Sequence, residues 1–132
     1  MQLNRAVPVL SVPDVARAVA VFRDVLGLDV VMDLGWVATL GAPEGPQISV
    51  MHEDATAACN PDLSLDVDDV DLAHERALEL GLEIVHPLTT EPWGVRRFFV
   101  RDEGGNVVNV LSHAQAAAPV AVEDEGGLRA AG

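Results

Sequence analysis

The sequence predicts an α+β domain built from two copies of one half, each reading strand–helix–strand–strand–strand. Three observations carry this. Apolar residues alternate between helical spacing and the short β-branched runs of strands. An Asp stands before each helical stretch and a Gly after it, the capping chemistry of a helix. The letters also repeat, at an offset of about 55 residues. Val12-Pro13-Asp14-Val15 matches Val67-Asp68-Asp69-Val70, and Leu26-Gly27-Leu28-Asp29-Val30-Val31 matches Leu80-Gly81-Leu82-Glu83-Ile84-Val85. Two matched segments in the same order, in so short a chain, favour duplication over coincidence.

The elements follow in order. Residues 4–12 form the first strand, with Pro8 suited to an edge or early position. Asp14 caps a helix whose Val15, Val19, Phe22 and Leu26 share one face, and Gly27 closes it. Strands at 28–33 and 36–40 bracket a turn with Gly35; a Pro/Gly loop at 42–46 leads to a strand at 47–53. Residues 54–61 are small, polar and turn-prone, and are expected to be a linker. The second half opens with a strand at 62–67. Asp69 caps a helix to about Leu80, with Val70, Ala73, Ala77 and Leu80 on one face and Gly81 after it. Strands at 82–87, 95–101 and 106–111 follow, the last two joined by a hairpin loop at 102–105. The domain is placed at 1–112, with module one at about 4–54, module two at about 61–112, and a C-terminal tail at 113–132 rich in Ala, Gly and acidic groups.

Composition narrows the function. Hydrophobic residues make up 49% of the 132, enough for a real core. The net charge is −13, and all eight basic residues are Arg. So few cations exclude a nucleic-acid binder, which must replace phosphate counterions. An acidic surface would favour cationic ligands. No apolar run approaches the roughly 20 residues that span a bilayer, and residues 1–12 lack a signal-peptide apolar region. The single Cys59 excludes an intrachain disulfide framework. The expectation is a cytoplasmic protein without nucleic-acid or membrane partners. CxxC, GxSxG and phosphate-binding glycine motifs are all missing.

The stretch VPVLSVPDVARAVAVFRDVLGLDVV resembles the first strand and helix of the vicinal oxygen chelate superfamily, which includes glyoxalase I, extradiol dioxygenases, and fosfomycin- and bleomycin-resistance proteins. TEPWGVRRFFVRDEGGNVVNVLSH resembles its closing signature, with Glu103 in place of the usual Pro and Gly104 before Gly105. The resemblance covers roughly residues 5–112. It implies a curved sheet around a concave cleft, helices on the outside, and a homodimer.

Metal-dependent relatives carry His, Gln or Glu on the first and last strand of each half, around a divalent ion with open positions. The resemblance puts those positions at Val7, Ser49, Asp62 and Asn109. Only Asp62 is a credible ligand among them. No divalent metal or other cofactor is therefore expected. His52, His74, His86 and His113 show no close ligand spacing; His52 and His86 are placed near strand ends, in ordinary polar roles.

Strand alternation then selects the pocket. Leu63, Leu65 and Val67 are expected under helices, which turns Asp62, Ser64 and Asp66 to the concave side. Val108 and Val110 likewise turn Asn109 inward, and pairing across the hairpin adds Arg97 and Phe99, which a one-residue shift of register would exchange for Arg96 and Phe98. Trp36 and Trp93 are candidate aromatic walls that could also attract a cation. The expected ligand-binding set is Trp36, Ser49, Asp62, Trp93, Arg97, Phe99 and Asn109; no catalytic residue is assigned. The implied function is a metal-independent small-molecule binding protein, sequestering an antibiotic or cationic metabolite. The alternatives are a metal-dependent lyase, isomerase or dioxygenase of the same superfamily, or a metal-free enzyme using Asp62 or Glu53 as a base.

Overall fold

A computed structural model of the chain describes residues 1–113. In chain order the elements are β1 (Leu3–Ser11), α1 (Val15–Leu26), β2 (Asp29–Asp33), β3 (Val37–Gly41), β4 (Gln47–Met51), β5 (Leu63–Val67), α2 (Val70–Glu79), β6 (Glu83–Thr90), β7 (Val95–Arg101) and β8 (Val107–His113). The helices start where short acidic side chains can take the free N–H groups of the first turn. Asp14 accepts from the Arg17 N–H, and Asp69 from that of Leu72. α1 stops at Gly27, whose φ of 69° is left-handed backbone that a Cβ would disfavour.

The strands form one curved, open, eight-stranded sheet in the order β2-β3-β4-β1-β5-β8-β7-β6. β1 and β5 pair antiparallel at its centre. On either side of them β1 pairs parallel with β4, and β5 parallel with β8. The first strand of each chain half thus lies innermost, beside the last strand of its own half. Val15 and Val19 of α1 pack on Ala38, Leu40 and Val50. Val70 and Ala77 of α2 pack on Val67, Phe98 and Val110. Alternation sends the neighbouring side chains to the other face, where Val9, Met32, Val37 and Met51 cluster. Arg97, Phe99 and Asn109 share that helix-free face, since Phe98 and Val110 lie under α2.

Several expectations need correction. β6 does not stop at Pro87; it runs to Thr90 through register shifts on either side of His86. Pro87 has no N–H to donate, and the irregular pairing of an edge strand tolerates it. His86 is therefore mid-strand and buried rather than near a strand end. Residues 54–61 do join β4 to β5 without helix or strand, and Asp54 and Pro61 within them are buried. His113 is not tail: it ends β8, opposite Val95 of β7. The rest of the expected tail, 114–132, lies outside the described residues. Among the described residues no helix is long and apolar enough to cross a membrane.

Candidate functional site

Arg97 organises the helix-free face. Its side chain leaves the middle of β7 and is met by Asp54 and Thr56 of the loop after β4 and by Glu91 and Trp93 of the turn before β7. Arg97 is 1% exposed. A guanidinium that deep must be paired and hydrogen-bonded. Its Nε donates to Glu91 Oε2 at 2.8 Å, Nη1 to Asp54 Oδ2 at 3.0 Å and Nη2 to Thr56 Oγ1 at 2.9 Å. The guanidinium carbon also lies 5.2 Å from the Trp93 ring centre and 4.9 Å from that of Phe99. These are cation–π distances. Glu91 Oε2 further lies 3.0 Å from His86 Nε2, and the His86 ring tilts against Phe99 at 5.1 Å.

The loop after β4 is shaped by the same network. The Thr56 N–H and hydroxyl both donate to Asp54 Oδ1, and the Asp54 N–H donates to Asn60 Oδ1 at 2.8 Å. Burial alone would raise the Asp54 carboxyl above its usual 3.8. The Thr56 hydrogen bonds and the Arg97 charge outweigh burial and hold it lower. Beside this loop lies an open cleft of about 440 Å³, lined by Ser11, His52, Glu53, Cys59 and Asn60 among others.

The other expected site residues divide by environment. Ser49 is 2% exposed, and its hydroxyl is 2.8 Å from that of Thr39 across the β3–β4 pair. Asn109 is fully buried and donates from Nδ2 to Ser64 Oγ at 3.1 Å. Phe99 is fully buried beneath Arg97. Trp36 sits just before β3, half-buried on the Val9–Met32–Val37–Met51 cluster. Trp93 is half-buried in the turn before β7; its Nε1–H is buried and has no hydrogen-bond partner among the described residues. Asp62 departs from its expected inward role. It is exposed just before β5, and its Oδ2 accepts the Val107 N–H at 2.9 Å, tying the starts of β5 and β8.

The structure therefore brings Arg97, Phe99, Trp93 and Asn109 to one face and leaves Asp62 at a strand start. Arg97 has a protein partner at each guanidinium nitrogen and is 1% exposed, so its charge is used to brace the face. Sequence reasoning missed Asp54, Thr56, Glu91 and His86. The available signal was Arg97 itself, since an Arg turned inward from a buried strand requires carboxylates nearby.

The donor set does not match a divalent metal site. Val7 is buried and has no donor atom, while Ser49 and Asn109 are engaged with protein partners. Among the described residues no group of three or more His, Cys, Asp or Glu could hold an ion.

Comparison with known proteins places this fold. The model of the glyoxalase/bleomycin resistance protein/dioxygenase superfamily matches residues 2–110, and the chain belongs to that superfamily. No curated protein matches it. Among solved structures it is similar to one described as an NAD-dependent benzaldehyde dehydrogenase from Legionella pneumophila. The identity there is 16%, over 83% of this chain and 99% of that one, with a TM-score of 0.67. A superfamily member from Vibrio splendidus 12B01 is 20% identical over 84% and 99%, with a TM-score of 0.66. The 2,3-dioxygenase LapB from Pseudomonas sp. KL28 is 16% identical over 89% of this chain and 44% of its own length, with a TM-score of 0.60. At these identities the likeness is one of fold.

Proposed function

We propose that the chain is a small-molecule binding protein that works without a metal. In this reading the two halves enclose a concave cleft on the helix-free face, and a cationic aromatic ligand lies there between Trp36 and Trp93. One observation carries it. Three of the four positions at which metal-dependent relatives hold their ion bear Val7, Ser49 and Asn109, and the fourth, Asp62, is exposed and holds the Val107 N–H. A Lewis-acid step needs donors converging on open coordination positions. Sequestration needs only a shaped, partly apolar pocket with a few polar groups. The net charge of −13 supports a cationic ligand. The reading extends to a cytoplasmic homodimer, whose mass light scattering would measure.

Calorimetric titration of chelator-treated protein with metal-free bleomycin and simpler aromatic amines tests the proposal, alongside elemental analysis of protein purified without chelators. The expected outcome is saturable binding without added metal and only traces of bound ion. Stoichiometric metal, or binding that appears only after a divalent ion is added, overturns it in favour of a metal-dependent enzyme.

A further inference from the structure

The helix side of the sheet is covered at both ends and bare in the middle. α1 packs on β2, β3 and β4, and α2 on β6, β7 and β8. β1 and β5 lie between these two runs. Ala6 pairs with Leu65, Pro8 with Leu63, and Leu10 with Val50, which lies under α1. Leu3 pairs with Val67, which lies under α2. Paired residues share a face, so all of these side chains point to the helix side. Leu3 is 55% exposed and Leu10 43%, and Ala6 and Pro8 are exposed with them. A contiguous apolar strip open to water on a central strand is the mark of an interaction surface. The strip is also the floor of a trough. α1 is centred on β3 and α2 on β7, five strand intervals away, so at about 4.8 Å per interval their axes stand about 24 Å apart. Helices about 10 Å across then leave about 14 Å between them, room for one more helix.

We infer that a second copy of the chain fills this trough, with α1 of each protomer seated between the two helices of its partner. The inference rests on the homodimer proposed above and names its interface; ligand binding does not enter it. Shape and charge both select α1 as the occupant. Val21 and Val25 lie one turn apart on α1 and are 50% and 71% exposed, an apolar ridge to match the apolar floor. The exposed face of α2 is instead acidic: it carries Glu75, Glu79 and Asp71, the last bound to Arg96. α1 exposes Arg17 and Arg23 against the single acid Asp24, so in the trough its cations come beside Glu75 and Glu79 of the partner's α2. The same chain thus holds the trough and the ridge that fits it. A two-fold axis satisfies both at once, with α1 of each copy in the trough of the other. A net charge of −13 sets two copies against each other over most of their surface. An apolar floor flanked by opposite charges is the contact that offsets this repulsion.

Light scattering and sedimentation of the full chain over a concentration series test this. The parent is expected at twice the mass of one chain. Leu10→Glu in the floor and Val21→Glu on the ridge should each raise the dimer dissociation constant at least about tenfold, since each puts an unpaired charge into the contact. Both positions are exposed in a single chain, so neither change opens the core, and an unchanged circular dichroism spectrum confirms that each variant folds. Leu78→Glu, at a 55% exposed position on α2, should leave the dimer within about twofold of the parent. Mixing the Leu10→Glu and Val21→Glu chains should recover a dimer, because one intact trough then meets one intact ridge. A dimer that survives both substitutions overturns the inference and leaves the homodimer standing. So does dissociation by Leu78→Glu without dissociation by Val21→Glu, or a mixture that stays monomeric. A parent that is monomeric at every concentration overturns the inference and the homodimer together. Calorimetric ligand binding is read separately and is untouched by any of these results.

Discussion

Arg97 shows what one side chain can demand of its surroundings. At 1% exposure its charge is tolerable only because Asp54 and Glu91 lie within 3.0 Å and 2.8 Å of it. Replacing it leaves two buried carboxylates facing each other without a cation. Arg97→Met should therefore cost about 3–5 kcal/mol, the range for breaking a buried pair from one side, read from urea melts. The loss should shrink when Asp54 and Glu91 are made apolar in the same variant. Asp54 adds a pH dependence. Its folded carboxyl lies below the ordinary 3.8, so its contribution is present above the unfolded value and is lost as pH falls through the folded one. Asp54→Asn should be less stable than the parent at neutral pH and should lose less further stability on acidification. Parallel melts down to about pH 2.5 would check this.

At the scale of elements, the two helices were legible almost to the residue. Capping chemistry is local, and Asp14 and Asp69 each bond an N–H three residues on. Asp14→Ala and Asp69→Ala should each destabilise by about 1 kcal/mol, by thermal or urea melts, and the two costs should add because the caps serve separate helices. The strands were legible as existing but not in length. The pattern predicts that β6 ends at Pro87, yet the strand continues to Thr90 through irregular pairing with β7. No local pattern announces a strand that absorbs a proline by shifting register. The stretch 54–61 is a connecting loop, as its composition predicts. Composition is silent, however, on a carboxylate that reaches across the sheet to Arg97.

At the scale of the molecule, the central β1–β5 pairing joins the two runs of the sheet, and the chain carries a net charge of −13. If the ligand is a cation, the field of that charge raises its local concentration. Affinity for benzylamine should then fall as sodium chloride is raised from about 0.05 M to about 0.5 M, since the Debye length shrinks severalfold over that range. Calorimetry at several salt concentrations reads this directly. A salt-independent affinity would remove the surface field from the account and leave only the local groups.

Strand–helix–strand–strand–strand, twice over, follows from the amino-acid sequence alone, as do the capped helices; that Arg97, Phe99 and Asn109 share one sheet face is one of the two registers alternation allows, and tertiary pairing selects it. The elements and their caps depend on periodicity and capping, which act over a few residues. The sheet order and the partners of Arg97 were decided only by tertiary structure. So was the role of Asp62, which bonds the Val107 N–H instead of turning inward. Composition places His113 in a tail, whereas pairing with β7 makes it the end of β8, with its ring beside Asp66. The reason is the same in each case. Asp54 and Arg97 are 43 residues apart, and Asp66 and His113 come from strands separated by a helix and two strands. Contacts at that separation are set by how the sheet assembles, and no local pattern in the chain encodes them.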